Sequence, residues 1–189
     1  MATMVRLSRF LVLAIGLISP LTPAIAWDSH ALIALARGAV KAEVEGKVPP
    51  KPATKSPARP VFVTIEIKGR VAGCRGSLAA RTGSLEEEVI LAARAAAKHD
   101  PRYAPLSPKD IPYILVTVTV IDRMEPIDEV TSLVAADGLV LKSGAKVGVV
   151  LPWEGKDPKT RLAWAYRKAG VKPGTSVRLY KLKAERYRG

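Results

Sequence analysis

The sequence predicts an α+β domain in which helices flank a mixed, largely antiparallel sheet. Two observations carry this. Segments of period-two alternation are interspersed with segments of helical period in the order helix, two strands, helix, strand, hairpin, helix, strand, which lacks the strict βα rhythm of a doubly wound parallel sheet. The chain of 189 residues, 48% hydrophobic, also has the length and apolar content to bury one sizeable core and shows no internal repeat.

Residues 1–26 read as a cleavable signal peptide. Arg6 and Arg9 stand in a segment free of acids, and Phe10 to Ile18 is apolar apart from Gly16. That run matches the roughly 7–15 residues of a signal's apolar region and is too short for a permanent membrane anchor. Pro20 and Pro23 break the helix, and Ala24-Ile25-Ala26 supplies the small-x-small pattern for cleavage after Ala26. The expected localisation is therefore export, to a periplasm or the medium. The working domain is then residues 27–189.

Asp28 or Ser29 can cap a helix from Ala31 to Glu45, with Ile33, Ala36, Val40 and Val44 on one face and Gly46 at its end. Residues 47–60 carry five prolines with Lys51, Lys55 and Arg59, a composition that reads as an extended surface strap. Val61 to Ile67 alternates as a strand, Lys68-Gly69 turns, and a second strand starts at Arg70. Ser84 with Glu87 makes a capping box, followed by a helix with Leu85, Val89, Ala92 or Ala93, and Ala96 inward. Its alanine-rich face suits close approach to a sheet. Ile114 to Ile121 is apolar on both faces except at Thr117 and Thr119, as a central strand should be. Leu139–Leu141 and Val147–Leu151 read as a hairpin around Lys142-Ser143-Gly144-Ala145-Lys146. Asp157 and Pro158 open a last helix that Gly170 ends, and a strand runs from Val177 to Tyr187.

Loss of the signal would remove two arginines and no acids, leaving 28 basic and 17 acidic residues and a net charge of +11. Such a charge favours anionic surfaces, so adhesion to an anionic envelope is an expectation. Specific nucleic-acid recognition is not expected, because aromatics are only 5% and the basic residues form no single motif. Cys74 is the single cysteine and His30 and His99 the only histidines, which rules out an internal disulfide and leaves little to build a metal centre from. No cofactor is called for.

Gly73-Cys74-Arg75-Gly76 is the most informative stretch. Two glycines bracket a thiol where a strand runs into a turn, so the sulfur could be presented at a rim, with Arg75 beside it favouring thiolate. Backbone N–H groups of such a turn can cradle an anion. The alternative is that Cys74 is a small buried hydrophobe and the glycines mark an ordinary bulge. His99 is a conceivable base for the thiol, or simply a residue that favours a helix C-terminus.

Phe62-Val63-Thr64-Ile65, Gly73-Cys74-Arg75-Gly76, Asp100-Pro101-Arg102-Tyr103 and Leu106-Ser107-Pro108, continuing through Asp137-Gly138-Leu139, Leu151-Pro152 and Lys168-Ala169-Gly170, occur in an order that resembles the AMMECR domain family. The resemblance covers nearly all of residues 27–189. It implies a compact α+β domain of two unequal lobes with a functional cleft near the Gly-Cys-x-Gly segment, and a family without a defined reaction. It also implies intracellular relatives associated with a Memo-like protein and a radical-SAM enzyme. The family usually has arginine before the first glycine and an aliphatic residue after the cysteine, where this chain has Ala72 and Arg75.

Two functions are expected from these residues. The first is an accessory module that binds a small anionic ligand or a protein partner at a cleft formed by Gly73, Arg75, Gly76 and Arg102. The second is a thiol-dependent enzyme with Cys74 as nucleophile and Arg75 or Arg102 orienting an acidic group. Arg102 has its own alternative, a salt bridge that braces a turn.

Overall fold

The computed structural model describes residues 27–189, so the signal-peptide reading, with Ala24 and Ala26, lies outside the described residues. Helix α1 spans Ser29–Glu45. The Asp28 carboxylate accepts the His30 and Ala31 N–H groups at 3.0 and 3.1 Å, and Gly46 ends the helix at φ 67°. The buried stripe runs through Leu32, Ala36, Ala39, Val40 and Val44, so it is rotated slightly from the predicted one and Ile33 lies at its margin.

Strands β1 (Val61–Ile67) and β2 (Arg70–Gly76) form a hairpin through Lys68 and Gly69, both at positive φ (51° and 75°) as a primed two-residue turn requires. Helix α2 spans Leu85–Lys98. Ser84 accepts the Glu87 N–H as expected, but the reciprocal half of the capping box is missing: the Glu87 carboxylate accepts the Gly83 N–H and pairs with Lys55 instead. Glu86 accepts the Ser56 N–H at 2.8 Å and its hydroxyl at 2.6 Å. The proline-rich strap is thereby stitched to the start of α2.

Strand β3 (Ile114–Ile127) runs six residues beyond its predicted end. A bulge at Asp122 carries it past a polar stretch along β6 (Arg178–Arg188). Between them come β4 (Gly138–Ser143), β5 (Lys146–Val150) and helix α3 (Pro158–Ala169). The β4–β5 turn is only Gly144 and Ala145, tighter than the five-residue connection expected, because Ser143 and Lys146 still pair. Asp157 accepts the Thr160 N–H at 2.9 Å and Gly170 closes α3 at φ 64°.

One six-stranded sheet results, in the order β2-β1-β3-β6-β4-β5, and all five pairings are antiparallel. All three helices cover the same face. Val61, Val63, Ile65, Val116, Val118 and Val120 pack under α1 and α2, whereas Leu139, Leu141 and Val150 pack under α3, which makes the two lobes unequal. Among the described residues the other face carries no helix, yet Val140 and Leu182 on it are fully buried. They share an apolar cluster with Phe62 and Cys74 from the far side of the sheet. Only a sheet curled toward its own inner face allows that contact across two intervening strands.

Both edge strands carry a glycine where a helix presses on them. A Cβ at Gly73 in β2 would lie 2.1 Å from the Ala96 carbonyl oxygen of α2, and one at Gly148 in β5 would lie 2.0 Å from that of Ala165 in α3. A side chain at either position would push its helix off the sheet. Arg161, only 2% exposed, is the buried polar anchor of the second lobe. Its guanidinium donates to the carbonyls of Val134 and Asp137 at 2.6 and 2.8 Å, and to those of Glu154 and Ala135.

Candidate functional site

Gly73, Cys74, Arg75 and Gly76 lie within β2 and do not form the expected turn; neither glycine adopts a positive φ. Their small size serves packing. Gly73 sits beneath Ala96, and a Cβ at Gly76 would meet the Val61 carbonyl oxygen at 2.2 Å. The Ser77 N–H bonds Val61, so Val61 and Ser77 are a hydrogen-bonded pair. By alternation the N–H and C=O of Cys74 and Gly76 point out of the sheet edge.

That edge is occupied at Cys74. The Asp100 carboxylate accepts the Cys74 N–H at 2.9 Å, and Arg102 Nη2 donates to the Cys74 carbonyl at 2.7 Å. Arg102 also donates through Nε and Nη2 to the two Asp100 oxygens, at 2.9 and 2.7 Å. Asp100, 4% exposed, thus locks the 100–103 loop onto β2. Burial opposes its ionisation, but Arg102 and the two backbone donors outweigh that and hold the carboxyl below its ordinary value. Arg102 is the bracing residue that a salt bridge would make it. Its Nη1 nevertheless has no protein partner among the described residues, and its side chain is 49% exposed.

Beside this clamp lies a cleft of about 320 Å³, between edge strand β2 on one side and edge strand β5 on the other. Its walls are apolar, from Phe62, Pro101, Val147, Val149 and Leu151, and its rim carries Arg75, Arg102 and Lys168. Arg75 is exposed and leaves β2 on the face opposite to Cys74. Lys168 pairs with Glu154 at 2.6 Å, and the same Glu154 oxygen accepts the Leu151 N–H.

Cys74 lines the cleft but is poorly activated. The Thr64 hydroxyl donates to Sγ at 3.1 Å, since Thr64 and Cys74 face each other across β1 and β2. Burial pushes the thiol above its ordinary value, and the Thr64 bond, Lys168 and Arg102 offset this only in part. His99 does not approach it: its Nε2 sits 3.1 Å from Glu43 Oε1 on α1. Sequence reasoning missed Asp100, Thr64, Lys168 and Glu154 as parts of this site. Three of the four, however, lie in the motif segments Phe62–Ile65, Asp100–Tyr103 and Lys168–Gly170, which converge on the cleft together with Gly73–Gly76 and Leu151.

Among the described residues no helix is long and apolar enough to cross a membrane. The AMMECR1 family model matches residues 33–189. A protein of Aeropyrum pernix is 36% identical, with 85% of this chain and 78% of the relative covered. One from Thermofilum pendens is 31% identical, covering 82% of this chain and 86% of its own. The crystal structure of the uncharacterized protein PH0010 from Pyrococcus horikoshii superposes with a TM-score of 0.71 at 29% identity, over 82% of this chain and 88% of that one. The chain belongs to the AMMECR1 family.

Proposed function

We propose that the protein is a non-catalytic accessory module whose cleft between β2 and β5 captures a small amphipathic anion or an acidic loop of a partner. The observation that carries this is the contrast between the rim and the thiol. Arg75, Arg102 and Lys168 all line the cleft beside its apolar walls, and although Arg102 is braced by Asp100 and Lys168 by Glu154, Arg102 keeps an Nη1 without a protein partner among the described residues, an arrangement suited to a carboxylate or phosphate with an apolar body. Cys74, by comparison, is held as a partly buried thiol without a histidine base, and its backbone is engaged by Asp100 and Arg102. A thiol enzyme needs a thiolate, and burial here favours the neutral form.

The functional site would include Gly76, whose edge N–H is turned outward, and Arg102 Nη1 as donors to the anion. Cys74 would shape the wall, whereas Gly73, seated under Ala96 on the other face, would only hold the strand against α2. Native mass spectrometry of the protein purified from its own host should reveal a bound anion or partner that survives Cys74→Ser and is lost in Arg75→Gln/Arg102→Gln. Rapid iodoacetamide labelling of native Cys74, with an apparent pKa below that of a free cysteine, would refute the binding reading and restore the enzyme.

Export to a periplasm or the medium belongs to the same proposal, supported by the charge and apolar pattern of residues 1–26. Detection of the chain starting at Trp27 in a periplasmic or culture fraction tests it. Finding the full-length chain in the cytoplasm would count against it. The basic surface would then add salt-sensitive adhesion to an anionic envelope.

A further inference from the structure

A second cavity, about 230 Å³, opens on the same inner face of the sheet, on the other side of Leu151. It is separated from the cleft by one layer of side chains. Leu151 lines both, and Thr64, on this side, donates its hydroxyl to Cys74 on the other.

Three features of this cavity bear on what it could hold. Thr117, 3% exposed, lines it, and its hydroxyl is buried without a hydrogen-bond partner among the described residues. An orphaned buried hydroxyl is unfavourable unless something occupies the space beside it. Trp153 at the mouth is the third residue of the Leu151–Glu154 turn, closed by the Glu154 N–H on the Leu151 carbonyl at 3.1 Å, and takes φ 62° at a position that ordinarily suits glycine, with 48% of the residue exposed. The turn sets the backbone angle; what it does not require is a large exposed aromatic at that position. Arg186 lies over that ring, 5.5 Å from its centroid, and has no carboxylate within ion-pair distance among the described residues.

The charges define the occupant. Glu66 is neutralised by Arg188 at 2.7 Å and Glu154 by Lys168 at 2.6 Å, so Arg186 is the one uncompensated charge lining the cavity. A single guanidinium fork matches a monoanion of planar geometry. Threonine hydroxyls can complete its shell, and Leu151, Pro152 and the indole supply an apolar wall. We propose that this cavity is a second binding site, for a small carboxylate with a flat apolar body, held by Arg186 and the Thr117 hydroxyl beneath Trp153. The site is distinct from the cleft, although it shares Leu151 and the Lys168–Glu154 pair with it.

Benzoate tests the inference, with benzamide as the neutral control. The indole N–H resonance of Trp153, assigned by its loss in Trp153→Phe, should shift saturably with benzoate and hardly at all with benzamide. Arg186→Gln should weaken benzoate roughly tenfold or more, as expected for loss of a charge-assisted pair. Thr117→Val should also weaken benzoate while raising the thermal midpoint of the free protein, because it removes an unpaired buried hydroxyl at nearly constant volume. Equal responses to benzoate and benzamide, or undiminished binding by Arg186→Gln, would overturn the proposal. So would a lowered midpoint in Thr117→Val, which would give the hydroxyl a structural role.

Discussion

Asp100→Asn is the perturbation that most directly separates the clamp from the cleft it supports. Asp100 accepts four bonds: the Cys74 N–H at 2.9 Å, the Arg102 N–H at 3.1 Å, and Arg102 Nε and Nη2 at 2.9 and 2.7 Å. An amide of the same shape keeps one acceptor oxygen and presents an NH₂ where the other stood. Each oxygen accepts two of these bonds, so in either orientation of the amide two donors lose their partner and face another donor. Charge-assisted bonds contribute about 1.5–3 kcal/mol each, and orphaning a buried donor costs about 1–3 kcal/mol. Arg102 is half exposed, so water recovers much of its share. The expected loss is about 2–3 kcal/mol at pH 7, read from urea unfolding as a lower midpoint at unchanged m-value. The pH dependence supplies the sharper check. Because the folded-state carboxyl is depressed, its stabilisation is fully present above the unfolded value of about 3.9 and fades as pH falls through the folded one. The gap between wild type and Asp100→Asn should therefore be constant from neutral pH down to about 5 and narrow as acid protonates Asp100. A gap that stays constant into strong acid, or a loss below about 0.5 kcal/mol at pH 7, would refute the account of Asp100 as the lock on β2.

Gly73→Ala and Gly148→Ala should each cost about 3 kcal/mol or more, the upper end of overpacking, because the obstruction is helix backbone in both and cannot rotate away; thermal or urea unfolding measures it. Arg161→Met should cost about 3–5 kcal/mol, since it strands carbonyls in the buried 134–137 segment, and amide exchange there should accelerate selectively. Cys74→Ser should fold, cost about 1–2 kcal/mol and retain any bound anion, because the serine hydroxyl replaces a partly buried thiol in a largely apolar wall while the Thr64 hydroxyl remains beside it as a partner. In the native protein iodoacetamide should label Cys74 slowly at neutral pH, with the rate rising once urea unfolds the chain.

The elements themselves were readable wherever the signal is local. Asp28, Ser84 and Asp157 act as caps, Gly46 and Gly170 as stops, and Val61 to Ile67 alternates as its burial does, because each depends on residues a few positions apart. The reading failed where pairing partners lie far away in sequence. The polar end of β3 looks unlike a strand until β6 pairs with it, and Gly73-Cys74-Arg75-Gly76 looks like a turn until β1 and α2 enclose it. Thr117 and Thr119 stood out as polar exceptions in an apolar strand, and both belong to the inner face that no helix covers. Arg161 gave no sign of its burial, since an arginine in a helix with exposed neighbours ordinarily faces water.

The cleft itself follows from the curl of the sheet, which is why no local motif announces it. β2 and β5 are the two ends of a six-stranded order and would be the most distant strands of a flat sheet. They become opposite walls of one cleft because each end is pulled round under its own helix: α2 seats on Gly73 and α3 on Gly148, so neither edge can flatten without lifting a helix. The bulge at Asp122 adds local twist at the β3–β6 seam, where the two lobes join. Positioning of Arg75 and Arg102 against Lys168 is therefore a property of the whole sheet. A change at Gly148, far along the chain from Cys74, should widen the cleft as surely as one at Gly73, and should weaken an anion that needs both walls although it removes no rim residue.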